Sequence, residues 1–125
     1  MHSKILVIDD DAAVRAVICK SLNRAGYETI SVEDGLVAYE KMPEIHTTLR
    51  LVITDMRMPR MNGADLVYRL RTEYPGLKVL CISAYSDPLP PNGHCFLSKP
   101  FKPASLVAIV KEVLRTTEGS LPQDG

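Results

Sequence analysis

The sequence predicts an α/β fold: a parallel β-sheet covered by helices on both faces. Two observations carry that expectation. Short apolar runs alternate along the chain with longer segments whose apolar residues recur at helical spacing. The runs Ile5–Ile8 and Leu51–Ile53 are also unbroken, as in strands buried on both faces rather than on one. Alternation of strands and helices then requires right-handed crossovers and a parallel sheet.

Each element has its own reason. Lys4–Ile8 is an apolar strand followed at once by Asp9, Asp10 and Asp11. Ala12–Ala25 places Val14, Val17, Ile18 and Leu22 on one helical face, and Gly26 is suited to end it. Tyr27–Val32 alternates like a strand. Gly35–Met42 suits a short helix that stops before Pro43. Leu49–Thr54 is an apolar strand that runs into Asp55. Gly63–Tyr74 has Leu66, Val67 and Leu70 at helical spacing and is closed by Pro75-Gly76. Val79–Ser83 and Cys95–Ser98 are the last two strands. Pro103 fits the first turn of a final helix whose buried stripe is Leu106, Ile109, Val110, Val113 and Leu114. Residues 1–116 are expected to form one domain, and 117–125 a tail or the start of a linker.

Composition narrows the function. Fifteen basic residues balance fifteen acidic ones, so no basic surplus points to nucleic acid or to an anionic membrane. No apolar run approaches the roughly 20 residues of a membrane helix. The N-terminal M-H-S-K lacks the architecture of a signal peptide, and a cytoplasmic location is expected. Cys19, Cys81 and Cys95 sit in apolar contexts without C-x-x-C spacing, which reads as reduced core cysteines. His2, His46 and His94 have no ligand-like spacing and read as surface residues.

In a parallel sheet the functional crevice lies beyond the carboxyl ends of the strands. Asp9–Asp11, Asp55, Ser83 and Lys99 all fall there, from four separate stretches of sequence. If the first and third strands are neighbours, Asp9, Asp10 and Asp55 meet. Such a carboxylate cluster suits a hard divalent cation, Mg²⁺ best (or Mn²⁺), which binds one or two carboxylates together with waters and phosphate oxygens. Lys99 adds a positive charge and Ser83 a hydroxyl. Together they suit a phosphoryl group in transfer, with Asp55 as a possible nucleophile. Each residue also has a structural alternative. The acidic run could be a capping cluster, Asp55 could cap a turn, Ser83 could simply end a strand, and Lys99-Pro100 could be a surface turn. Their convergence on one rim favours the chemical reading.

The stretches ILVIDDD, LVITDMRMPRMNG, CISAY and FLSKPF, in that order, resemble the signature segments of response-regulator receiver domains. The likeness spans residues 4–115. It implies a flavodoxin-like doubly wound sheet of five parallel strands in the order 2-1-3-4-5. It implies Asp55 as phosphoacceptor, taking a phosphoryl group from a histidine kinase or a histidine phosphotransfer domain and switching a protein-interaction surface. Asp10 would be a direct metal ligand and Asp9 a ligand acting directly or through water. Asp55 and the Arg57 backbone carbonyl would complete the protein's share. Ser83, Phe96 and Lys99 match the switch and phosphate-contacting positions, and Lys99-Pro100 would be a cis peptide. The domain would then be a signalling switch rather than a turnover enzyme. Asp11 reads as the cap of the first helix.

The sequence departs from the family between Ser83 and Lys99, where Lys99 follows Ser83 by sixteen positions. That is roughly six fewer than receivers usually have, more than one and a half turns of helix. Pro88, Pro90, Pro91 and Gly93 also oppose a helix there. The fourth helix of the family is therefore expected to be missing or strongly shortened, and a monomer is expected in place of the family's usual dimer. Arg57 and Tyr85 occupy positions that in the family tune dephosphorylation. Two other readings stand beside this one: a pseudo-receiver that binds a partner without phosphorylation, and a haloacid dehalogenase-like phosphatase. For the second, Asp9-x-Asp11 would supply nucleophile and acid, though a cap domain and a late acidic pair are lacking.

Overall fold

The computed structural model describes residues 4–57, 60–83 and 96–115, with Phe96 described by its backbone alone. Strands β1 (Lys4–Ile8), β2 (Glu28–Val32), β3 (Leu49–Asp55), β4 (Lys78–Ser83) and β5 (Phe96–Ser98) alternate with helices. The helices are α1 (Ala12–Arg24), α2 (Gly35–Ile45), α3 (Gly63–Glu73) and α4 (Pro103–Arg115). All four strand pairings are parallel, and the sheet order is β2-β1-β3-β4-β5. The doubly wound parallel sheet expected from the sequence is therefore present.

The unbroken apolar runs are explained by two half-cores. Successive strand residues point to opposite faces. Ile5 and Val7 of β1, Leu51 and Ile53 of β3, and Leu80 and Ile82 of β4 join Ile18 and Leu22 of α1 and Leu106, Val110 and Val113 of α4. Leu6, Ile8, Val52, Val79 and Cys81 turn the other way, onto Ala38 and Met42 of α2 and Leu66, Val67 and Leu70 of α3. Both faces of the inner strands are covered, so polar side chains are displaced to the strand ends.

Three expectations change. Val17 is 48% exposed, because Ile18 and Leu22 make the buried row of α1 and Val17 lies beside it. Helix α2 passes through Pro43 and ends at Ile45, where a 3₁₀ turn (His46–Thr48) takes over. Proline removes its own N–H and crowds the preceding turn, but Met42, fully buried, keeps the last turn packed on the core. His46 is half-buried rather than a free surface residue. Its Nδ1 lies 2.9 Å from the Met42 carbonyl oxygen and its ring centroid 4.9 Å from that of Tyr74. Cys81 is buried and Cys19 partly so, both as reduced cysteines. The segment expected to lack a helix, the tail, Cys95, His2, His94 and Tyr85 lie outside the described residues.

Candidate functional site

The ends of β1, β3 and β4 lie side by side by virtue of their register. Ile8 pairs with Thr54, and Asp55 pairs with Ile82. The ladder runs on past the strand ends. The Asp9 N–H donates to the Val32 carbonyl (3.3 Å), Met56 N–H to that of Ile82 (3.0 Å), and Lys99 N–H to that of Ser83 (2.8 Å). Asp9 is two residues after Val7, and Asp55 two after Ile53. The period of two therefore sends both carboxylates toward the same side.

There they meet Lys99. Its Nζ lies 3.1 Å from Asp55 Oδ2 and 3.4 Å from Asp9 Oδ2. Asp9 is 1% exposed, Asp55 5% and Ser83 3%, whereas Asp10 points into solvent. One carboxylate oxygen each from Asp9, Asp10 and Asp55 falls within 4.8 Å of the others. The Lys99-Pro100 peptide is cis.

The electrostatics are unbalanced. Burial is the main cause of an Asp9 pKa above the ordinary carboxylate value, and Asp55 adds repulsion. The Asp11 N–H (2.9 Å to Asp9 Oδ1) and Lys99 only partly oppose this. Burial also works against the Lys99 ammonium, but Asp55 and Asp9 outweigh it and hold its pKa above the usual lysine value. Asp9 Oδ2 is buried and, among the described residues, accepts no hydrogen bond, with the Lys99 ammonium 3.4 Å away. Three carboxylates against one ammonium leave an excess of negative charge. A buried, unsatisfied carboxylate oxygen beside two other oxygen donors fits a hard divalent cation.

The other residues singled out in the sequence divide. Asp11 caps α1, accepting from the Ala13 and Val14 N–H groups at 2.9 and 3.3 Å. Arg57 is exposed, and its N–H points to Asp55 Oδ1 at 3.4 Å. Ser83 closes β4 next to Lys99. Phe96 takes its place in β5 opposite Cys81.

Two features escaped sequence reasoning. Arg15 donates from Nη1 to the Asp9 carbonyl at 2.7 Å and so holds the turn between β1 and α1. Its place in the first turns of α1 was a usable signal, since helical side chains lean toward the N-terminus. The second is a pair between Arg60 and Asp34. Arg60 Nε and Nη2 reach Asp34 Oδ2 at 3.0 and 2.7 Å, while Asp34 Oδ1 caps α2 through the Val37 N–H at 2.9 Å. Burial alone would raise the Asp34 pKa, but the Val37 N–H and the Arg60 guanidinium hold it below the ordinary value. Residues so far apart in sequence give no local signal.

The family model for the response regulator receiver domain matches residues 5–111. The chain belongs to the response-regulator receiver family. It is 32% identical over 124 residues to the chemotaxis protein CheY1 of Helicobacter pylori, covering 92% of this chain and 99% of that protein. It is 33% identical over 116 residues to the sensor kinase CckA of Brucella abortus, covering 88% of this chain but 12% of the kinase. Against the DNA-binding response regulator MtrA of Mycolicibacterium paratuberculosis the chain spans about half of the relative's length, 54%. The crystal structure of the receiver domain from the hybrid histidine kinase CckA superposes with a TM-score of 0.78 at 31% identity, over 90% of this chain and 99% of that one. Receiver domains are signalling modules of two-component systems, not classical enzymes. Among the described residues, no helix is long and apolar enough to cross a membrane.

Proposed function

We propose that this receiver is a phosphoacceptor that uses a divalent cation, Mg²⁺ or Mn²⁺, and takes a phosphoryl group onto Asp55 from a partner phosphohistidine. The observation that carries the reading is the meeting of Asp9, Asp10, Asp55 and Lys99 at one rim. Asp9, Asp10 and Asp55, with the Arg57 carbonyl, would hold the cation. When bound, it supplies positive charge to the phosphoryl oxygens and relieves the repulsion among the carboxylates.

The chain's own groups do the rest. A carboxylate oxygen of Asp55 attacks phosphorus, the P–O bond forms as the P–N bond to the donor imidazole breaks, and the leaving nitrogen takes a proton. Lys99, already held by Asp55, offers its ammonium to the charge that spreads over the phosphoryl oxygens. Ser83 would follow the phosphorylated state from the end of β4, with Phe96 on the neighbouring strand, and Arg57, together with Tyr85 by its position in the sequence, would tune hydrolysis. The capping bonds of Asp11 favour this reading over a dehalogenase-like one, which needs the same side chain as its acid.

Acetyl phosphate tests the proposal without a cognate kinase. Intact mass spectrometry is expected to show one phosphoryl adduct that forms with Mg²⁺ and fails to form with a chelator or in Asp55→Ala. An adduct that forms in the presence of the chelator would overturn the cation-dependent mechanism. Failure of any adduct to form would favour the pseudo-receiver reading.

A further inference from the structure

We infer that Arg60 is a positioning residue for cation binding at the rim, acting through its ion pair with Asp34 and touching neither cation nor phosphoryl group. This rests on the reading of Asp9, Asp10 and Asp55 as the cation pocket.

The connection from β3 to α3 leaves the acceptor strand at Asp55 and carries Arg57. Its base is fixed from within. Gly63 N–H donates to the Met56 carbonyl at 3.0 Å. A Cβ on Gly63 would stand 2.5 Å from the Asp55 carbonyl oxygen and 2.7 Å from Met56 Cα, so the chain returns in direct contact with the acceptor's own peptide. Farther along, the connection is held from another element. Arg60 places two donors on one oxygen of Asp34, at 3.0 and 2.7 Å.

Asp34 is an unusual anchor for a surface arginine. It is 3% exposed, and its other oxygen is committed to the first turn of α2 through Val37. Exposed pairs are weak because two long side chains must be ordered. Here the carboxylate is short, buried and already fixed, so the guanidinium alone is ordered. Only two residues separate Arg60 from Arg57 along the chain, so anchoring Arg60 restricts the reach of the Arg57 peptide. Its N–H already approaches Asp55 Oδ1 at 3.4 Å.

The consequence depends on the cation. Mg²⁺ demands near-octahedral ligands at short distances, whereas Ca²⁺ accepts variable ones. Releasing the connection is expected to weaken Mg²⁺ more than Ca²⁺. Plain electrostatics predicts the opposite sign, because removing a cationic side chain from the neighbourhood of three carboxylates strengthens the binding of either ion.

Isothermal titration of the whole chain with Mg²⁺ and then Ca²⁺ separates these outcomes, with thermal melts to confirm folding. Arg60→Ala is expected to weaken Mg²⁺ binding about tenfold, the scale seen when groups that orient metal ligands are lost. Ca²⁺ is expected to weaken less, and Arg60→Lys to recover part of the loss. Asp34→Asn keeps a good helix cap while removing the charge, so it is expected to shift the Mg²⁺-to-Ca²⁺ preference in the same direction. Mg²⁺ affinity in Arg60→Ala equal to or tighter than wild type would overturn the inference and leave the pocket standing. A wild-type chain that takes up neither ion would instead remove the pocket reading, and the inference with it.

Discussion

Asp9 shows how much of the rim's character sits in single residues. One of its oxygens accepts the Asp11 N–H, while the other lies buried with Lys99 3.4 Å away. Its folded pKa is raised, first by burial, so the folded state binds more protons than the unfolded one between the ordinary carboxylate pKa and the raised one. Stability must then fall as pH rises through that window, and the cost persists above it. Asp9→Asn is expected to remove this slope and to melt higher than wild type at pH 7 without divalent ions. Mg²⁺ is expected to raise the melting temperature of wild type and to leave the variant nearly unchanged, as binding linked to folding requires. Thermal melts across pH, with and without Mg²⁺, check both. A variant that melts below wild type in the absence of metal would mean that Asp9 is structural. Asp9 and Asp55 were visible in the sequence because each ends an apolar run abruptly. Arg60 and Asp34 were not, since only the packed fold brings them together.

The elements differ in how plainly the sequence announced them. Strands β1 and β3 were legible because buried parallel strands carry unbroken apolar runs bounded by acids. The end of α1 was legible in Gly26, whose φ of +99° suits glycine. The end of α2 was not. Local rules stop a helix before Pro43, but the burial of Met42 is a tertiary fact that no local rule contains. Val17 was misplaced because the apolar stripe of α1 is one row wide where α4 packs beside it. At the start of α1, Asp11 accepts two backbone N–H groups. Replacing such a cap with alanine typically costs about 1 kcal/mol. Asp11→Ala is therefore expected to lower the melting temperature by about 4 °C and to leave Asp55 able to accept a phosphoryl group. Loss of phosphorylation with the fold intact would restore the acid role that the dehalogenase-like reading assigns to Asp11.

On the scale of the whole molecule, the site exists because the sheet is covered on both faces. Two half-cores consume every apolar side chain of the inner strands, so polar groups collect where the strands end. Parallel order brings three of those ends together, and β5 delivers Lys99 beside Ser83. The short signatures of the family fall at those ends, so the fold and the site are legible together. Lateral ties such as Arg15 to Asp9 and Arg60 to Asp34 were not legible, because they depend on how helices pack against the rim. The rim is proposed to direct a phosphoryl group onto Asp55. The most direct measurement is to phosphorylate the wild-type chain with acetyl phosphate and Mg²⁺, reduce the acyl phosphate with borohydride, and sequence the peptides by mass spectrometry. Reduction of Asp55 to homoserine, with Asp9, Asp10 and Asp11 intact, is the predicted result. Homoserine at position 9 would contradict it and make Asp9 the nucleophile.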